Sequence, residues 1–343
     1  MLLHGLAAPG AASPAVLSSP AVWVLATLRW LLFAGLSGAL GGLAGRGLSR
    51  QYKGDFPGPL PTPWALRWSL LGLAAAAGLV VVAAGGGSLA TGLAHPSVPR
   101  LTSASPGVIA MVEFGAFAAA AALLRWRLPG LSVVPLLAVV AAEGVRAHPE
   151  GIILVGGALL TYAHLLPAAL WAGMLGYVLR TAIAWRSDPA AMRGLVRLYG
   201  TAAAWLFALV VSTGVVSALV LVPLGSLLTT AYGIVLVVKA VLVAVAAALA
   251  VAGRVWLRHQ PAAGAGPARA TKLEFGVLAA ALAVTGLLTA LTPPATPVTP
   301  AAARSATGSP AGDLVRHGRR PGAGAVPAAH VGPGRPSHVG RNQ

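Results

Sequence analysis

Apolar residues occur along this chain in long runs, and short segments rich in glycine, proline and arginine separate the runs. Each run holds roughly 18 to 25 residues, which lets a helix rising ~1.5 Å per residue cross a hydrocarbon core of ~30 Å. The pattern predicts eight membrane-spanning segments. Their approximate bounds are Val22–Ala44, Trp64–Ala84, Pro106–Leu124, Leu128–Val145, Ala158–Leu179, Leu198–Val222, Tyr232–Gly253 and Leu273–Leu291.

The character of these runs decides the fold class. Backbone polar groups find no water inside a bilayer, so a spanning segment is either a helix or part of a closed barrel, which would need short segments of alternating polarity. The composition agrees with helices, because 57% of the residues are hydrophobic, 9% are charged and the mean hydropathy is +0.80. We therefore expect an all-α polytopic membrane protein with about eight transmembrane helices.

The order of the runs also suggests a division of the chain. Residues 1–20 form an extracytoplasmic N-terminal segment, 21–150 a membrane half of four helices, and 151–294 a second membrane domain. Residues 295–343 consist mainly of proline, glycine, alanine, serine and arginine without apolar periodicity. This composition predicts a disordered basic tail.

The basic residues indicate the orientation in the membrane. The chain has 24 Lys and Arg against 7 Asp and Glu, a net charge of +17. Thirteen basic residues fall in the odd-numbered loops between spans and two in the even-numbered loops. The positive-inside rule then predicts cytoplasmic odd loops and both termini outside. This distribution explains the basicity without nucleic-acid binding, and the absence of cysteine excludes disulfides and thiolate metal sites.

Four ionisable residues lie inside the predicted spans at a similar depth. Arg29, Glu113, His164 and Lys239 each fall six or seven residues into an odd-numbered span, roughly 10 Å below the outer surface at ~1.5 Å per residue. Charges so placed avoid lipid and often mark pathways. A structural ion-pair network, such as Glu113 with Arg29 or Lys239, explains the charged members equally well.

Histidine and methionine are the candidate metal ligands. His148, flanked by Glu143 and Glu150, lies just outside the fifth span that contains His164, and Met111 lies in the same outer layer. Imidazole suits copper and zinc, and a thioether suits copper(I). A hydrogen bond between helices is the alternative role for a histidine such as His164.

Four segments resemble successive signatures of the copper resistance protein D (CopD) family of bacterial membrane proteins. They are HLLPAALWAG (164–173), STGVVSAL (212–219), YGIVLVVKA (232–240) and KLEFGVLAAALAVTGLLTALTPP (272–294). The resemblance covers about residues 161–294, with its core at 195–292, and depends on the order and spacing of the segments.

The resemblance implies copper handling at the bacterial cytoplasmic membrane, described for the family most often as uptake. The positions that the family pattern emphasises are His164, Trp171, Gly173, Lys239 and Glu274. Our hypothesis is a copper transport or tolerance protein that is not an enzyme, with His164, His148 and Met111 as metal ligands. The intramembrane pathway is then formed by Arg29, Glu113, Lys239, Glu274 and Trp171.

The hypothesis includes one further ion pair and one further partner. Glu274 near the cytoplasmic face is expected to pair with Arg67. A periplasmic copper-binding partner, if one delivers the ion, is expected to be a separate protein.

Two other functions remain open from the sequence. A copper-delivery or assembly partner of respiratory oxidases would use the same ligands without transport. A haem-binding electron carrier like cytochrome b would need paired axial ligands, usually histidines on facing helices, and only His164 lies securely within a predicted span.

Overall fold

The structure, a computed structural model, describes residues 19–52, 56, 58–147, 154–221, 225, 227–259, 276, 280–281 and 283–291. Most of these residues are helical, and no strand occurs among them. The helices are α1 (Pro20–Leu36), a π-helical turn (Ser37–Gly41), α2 (Gly42–Ser49), α3 (Ala65–Ala84), α4 (Leu89–Ala94), α5 (Val98–Ser103), α6 (Ser105–Arg125), α7 (Val133–Ala147), α8 (Leu154–Ala184), α9 (Pro189–Leu221) and α10 (Ala231–His259). Residues 283–290 are also helical. The predicted all-α class is confirmed.

Six helical segments among the described residues are long and apolar enough to cross a membrane. They are Pro20–Ser49, Ala65–Ala84, Ser105–Arg125, Gly156–Ala184, Pro189–Leu219 and Ala231–Leu249. The architecture is therefore that of a polytopic membrane protein, while the predicted count of eight spans is not confirmed. Seven of the 19 residues of the eighth predicted span, Leu273–Leu291, lie outside the described residues, and the described stretch 283–290 is helical.

The fourth predicted span is shorter than its apolar run. α7 has 15 residues, which cover ~22 Å at ~1.5 Å per residue. Pro129 and Gly130 lie in a turn, so the helix begins only at Val133. Pro135 falls in the first helical turn, where its missing N–H is tolerated.

Glycines bring the spans into backbone contact. A Cβ atom at Gly35 of α1 would lie 2.6 Å from the backbone nitrogen of Gly72 in α3, and one at Gly41 would lie 2.5 Å from Cα of Gly173 in α8. Small residues allow such approach, and the resulting close packing drives helix association in lipid, where apolar side chains gain nothing by leaving the solvent. The glycine at position 173 is therefore needed for packing between the first span and α8.

Two apolar clusters form the core. In the N-terminal half, Leu32, Phe117 and Leu136 are fully buried where α1, α6 and α7 meet, and a second cluster around Leu175 and Leu195 joins α8 to α9. The spans of α9 and α10 are much less enclosed, with 17% of their most apolar window buried against 39–56% in the other four. Most side chains in these two windows are therefore left uncovered by the other described residues.

Candidate functional site

His164 lies in α8 and faces α9, the next helix along the chain. Its Nδ1 is 3.0 Å from the Thr213 hydroxyl oxygen. The Thr213 hydroxyl has one proton, and it donates that proton to the backbone carbonyls of its own helix, at Leu209 or Val210. When the hydroxyl proton is so placed, the hydroxyl accepts from Nδ1–H of the imidazole, and in that tautomer the lone pair is on Nε2.

The residue after Thr213 makes room for the ring. A Cβ atom at Gly214 would lie 3.1 Å from Cε1 of His164 and 3.5 Å from its Nδ1, so a larger residue would crowd the imidazole. The pair Thr213–Gly214 thus orients His164 through one hydrogen bond and one missing side chain. Sequence reasoning used the segment STGVVSAL only for its resemblance and missed this role.

Lys239 of α10 is the other ionisable residue that the sequence places in this layer of the C-terminal half. Its position is half-buried, in a helix whose other large side chains mostly face lipid. Among the described residues no ion pair involves Lys239. A lysine without a carboxylate beside it opposes further positive charge in the same region.

The other two predicted intramembrane charges belong to a separate network in the N-terminal half. Arg29 of α1 donates to both carboxylate oxygens of Glu143 in α7, at 2.8 and 2.9 Å, and Arg146 donates to Glu113 of α6 at 2.6 Å. Arg146 Nε lies 3.5 Å from Glu143. Two arginines and two glutamates therefore balance one another in the bundle interior, where Glu113 is fully buried.

This network corrects the predicted partners of Glu113. The sequence suggests Arg29 or Lys239, but the structure pairs Glu113 with Arg146, which lies one residue beyond the predicted fourth span. Helix α7 continues to Ala147 and so carries Arg146 alongside Glu143, one turn earlier. The structure thus brings Arg29 and Glu113 into one network, and it places neither in an ion pair with Lys239.

Met111 and Trp171 face surroundings other than those the sequence suggested. Met111 is 37% exposed on the bundle surface while Glu113 is fully buried. Residues two apart on an α-helix point ~200° apart, so the inward carboxylate turns the thioether toward lipid. Trp171 is buried in the cluster between α8 and α9, its ring 5.5 Å from Phe207 in an edge-to-face contact.

The structure does not test the roles predicted for His148 and Glu274. His148 and Glu274 lie outside the described residues, and Arg67 stacks on Trp64. Within the described part of the chain, no group of three His, Cys, Asp or Glu side chains could hold a metal ion. The assignment of His164, His148 and Met111 as ligands therefore remains a prediction.

The helices and their buried charges define a class, the polytopic α-helical membrane proteins. Within this class, residues 193–288 match the sequence model of the copper resistance protein D family. The resemblance inferred from the sequence is thus confirmed for this part of the chain, which includes Thr213, Gly214 and Lys239, while His164 precedes it. No curated protein and no solved structure matches the chain. The match relates residues 193–288 to membrane proteins of copper resistance.

Proposed function

We propose that the protein moves copper ions across the bacterial cytoplasmic membrane, most simply inward, and that His164 is the ligand that receives the ion within the membrane. The observation that carries the proposal is the hydrogen bond between His164 Nδ1 and Thr213. This bond holds the imidazole in one orientation. A metal ligand is oriented in this way, because a metal ion binds the lone pair of one ring nitrogen while the other nitrogen donates to an orienting group.

The proposed ion is singly charged copper. Lys239 falls in the same predicted layer as His164, and Coulomb repulsion of a monovalent ion by a lysine is half that of a divalent ion at the same distance. Copper(I) also accepts few ligands and tolerates imidazole. His148 remains the proposed second ligand from the sequence, and Met111, which faces lipid, is the weaker third.

The direction of movement follows from the proposed orientation. With the basic loops in the cytoplasm, α8 runs from outside to inside, and His164 lies in its outer half. An ion delivered by a separate extracytoplasmic copper-binding protein would meet this residue early. The polar network of Arg29 and Glu113 lies in the other half of the bundle, where it balances charge and positions α1, α6 and α7.

Copper accumulation in cells tests the proposal. A host with low copper uptake would express the parent chain, His164→Ala or His95→Ala, the last as a control at an exposed histidine outside the spans. We expect the parent and His95→Ala to raise cell copper, and His164→Ala to behave as the empty vector at equal protein abundance. Unchanged cell copper with altered oxidase activity would instead support the role of a delivery partner.

A further inference from the structure

A second site lies away from His164, where the first span and α3 meet the C-terminal half of α8. It is a cavity of about 570 Å³, lined mainly by apolar atoms, with Trp30, Trp68 and Tyr177 among its walls. This volume falls within the ~300–1,000 Å³ of typical small-molecule sites. Gly38 allows the Trp68 ring to pack against the π-helical turn, because a Cβ there would collide with that ring.

One end of the cavity carries an uncompensated positive charge. Arg180, which lines it, lies 4.3 Å from the Trp64 ring centroid, and Arg67 lies 5.3 Å from the same centroid. Arg180 also donates to the Thr62 carbonyl at 2.6 Å. Among the described residues no carboxylate pairs with either arginine. The guanidinium of Arg180 therefore favours an anionic group of a ligand at this end.

A polar residue lies deeper in the wall of the same cavity. Ser37, in the π-helical turn, is 4% exposed and lines the wall, and its hydroxyl has no hydrogen-bond partner among the described residues. Its backbone touches Gly173, seven residues before Arg180, a separation of ~10 Å along α8 at ~1.5 Å per residue. The hydroxyl oxygen itself is buried away from the open cavity, so this wall presents a largely apolar surface to a ligand.

We propose that this cavity binds an anionic phospholipid of the cytoplasmic leaflet. The phosphate would lie against Arg180, and an acyl chain would pack against Trp30 and Trp68. The end with the arginines is the end of the basic loops, and the cytoplasmic leaflet is where anionic lipids attract such residues. The lipid would thereby stabilise the contact between the first span and α8, the helix that carries His164.

Lipid titration of the purified full-length protein tests the proposal. Binding of phosphatidylglycerol and phosphatidylcholine would be compared by native mass spectrometry for the parent, Arg180→Gln and Ala34→Phe, which fills the cavity without changing its charge. The control is Arg186→Gln, an exposed arginine of the next loop that does not line the cavity. Inorganic phosphate is titrated separately, with thermal stability as the readout.

We expect the parent to bind phosphatidylglycerol more tightly than phosphatidylcholine. Arg180→Gln should weaken the binding of phosphatidylglycerol about fivefold, the typical effect of one basic residue near a membrane surface. Ala34→Phe should weaken the binding of both lipids, and Arg186→Gln should leave the binding of both unchanged. Phosphate alone should not raise the thermal stability of the protein. Equal binding of the two lipids by the parent, an equal loss in Arg186→Gln, or a co-purified prenyl quinone in place of phospholipid would overturn the proposal.

Discussion

Removing the carboxylate of Glu143 should destabilise the protein strongly. Glu143 is 4% exposed and accepts two bonds from Arg29, which is 6% exposed in its side chain, and Arg146 Nε approaches it at 3.5 Å. Glu143→Leu replaces the carboxylate with an apolar side chain of similar size. It leaves Arg29 buried with neither of these bonds and Arg146 with one partner instead of two.

The magnitude follows from the burial of both partners. Breaking a buried ion pair by removing one member typically costs ~3–5 kcal/mol, because the remaining charge is left uncompensated. Removing both members and replacing them with apolar residues is often nearly neutral. We therefore expect Glu143→Leu to lower the free energy of unfolding by about 3 kcal/mol or more, and Arg29→Met/Glu143→Leu to recover most of this loss.

Reversible unfolding of the purified protein in mixed micelles, followed by circular dichroism, would measure these differences. Arg197→Met provides the control, since Arg197 is exposed on α9 and joins no ion pair among the described residues. A loss below ~1 kcal/mol for Glu143→Leu would be typical of an exposed pair and would refute the reasoning. A double variant as unstable as the sum of its single changes would refute it equally.

Three other variants test the site and its orientation. Thr213→Val removes the hydrogen bond to His164 and should weaken copper binding ~10- to 100-fold at unchanged protein abundance; unchanged affinity in a metal titration would show that the bond does not orient a ligand. Lys239→Met should leave abundance unchanged, because Glu113 pairs with Arg146, and should tighten copper binding in the same titration by removing a repulsive charge. Arg186→Cys, in a chain without cysteine, should react with an impermeant maleimide only after the cells are permeabilised; labelling of intact cells would invert the proposed topology.

The sequence predicted the elements that depend on length and polarity alone. Long apolar runs located the spans because helices satisfy the backbone within lipid. The apolar run at Leu128–Val145 is longer than the helix it contains, because the turn at Pro129 and Gly130 precedes the start of α7 and hydropathy does not distinguish a turn from a helix. Depth along the spans was also readable, and residues of one layer, Arg29 and Glu113, do share a network.

Contacts between helices were not readable from one sequence. The depth of a residue along a span does not say in which direction its side chain points around the helix axis. Met111 and Glu113 lie at a similar depth, but they point to opposite sides of α6. Likewise, the partner of Glu113 depended on where α7 ends. The roles of Thr213 and Gly214 depend on α8 facing α9, although a small residue after a hydroxyl residue in an apolar span is a usable signal for such a contact.

Copper retained by the purified protein tests the central claim most directly. The parent chain, His164→Ala and His95→Ala would each be loaded with copper(I) and separated from free metal, and the bound copper would be measured per protein molecule. The account predicts that the parent and His95→Ala retain copper and that His164→Ala loses it while remaining folded. Equal copper in folded His164→Ala would show that this histidine only joins α8 to α9 and would contradict the account.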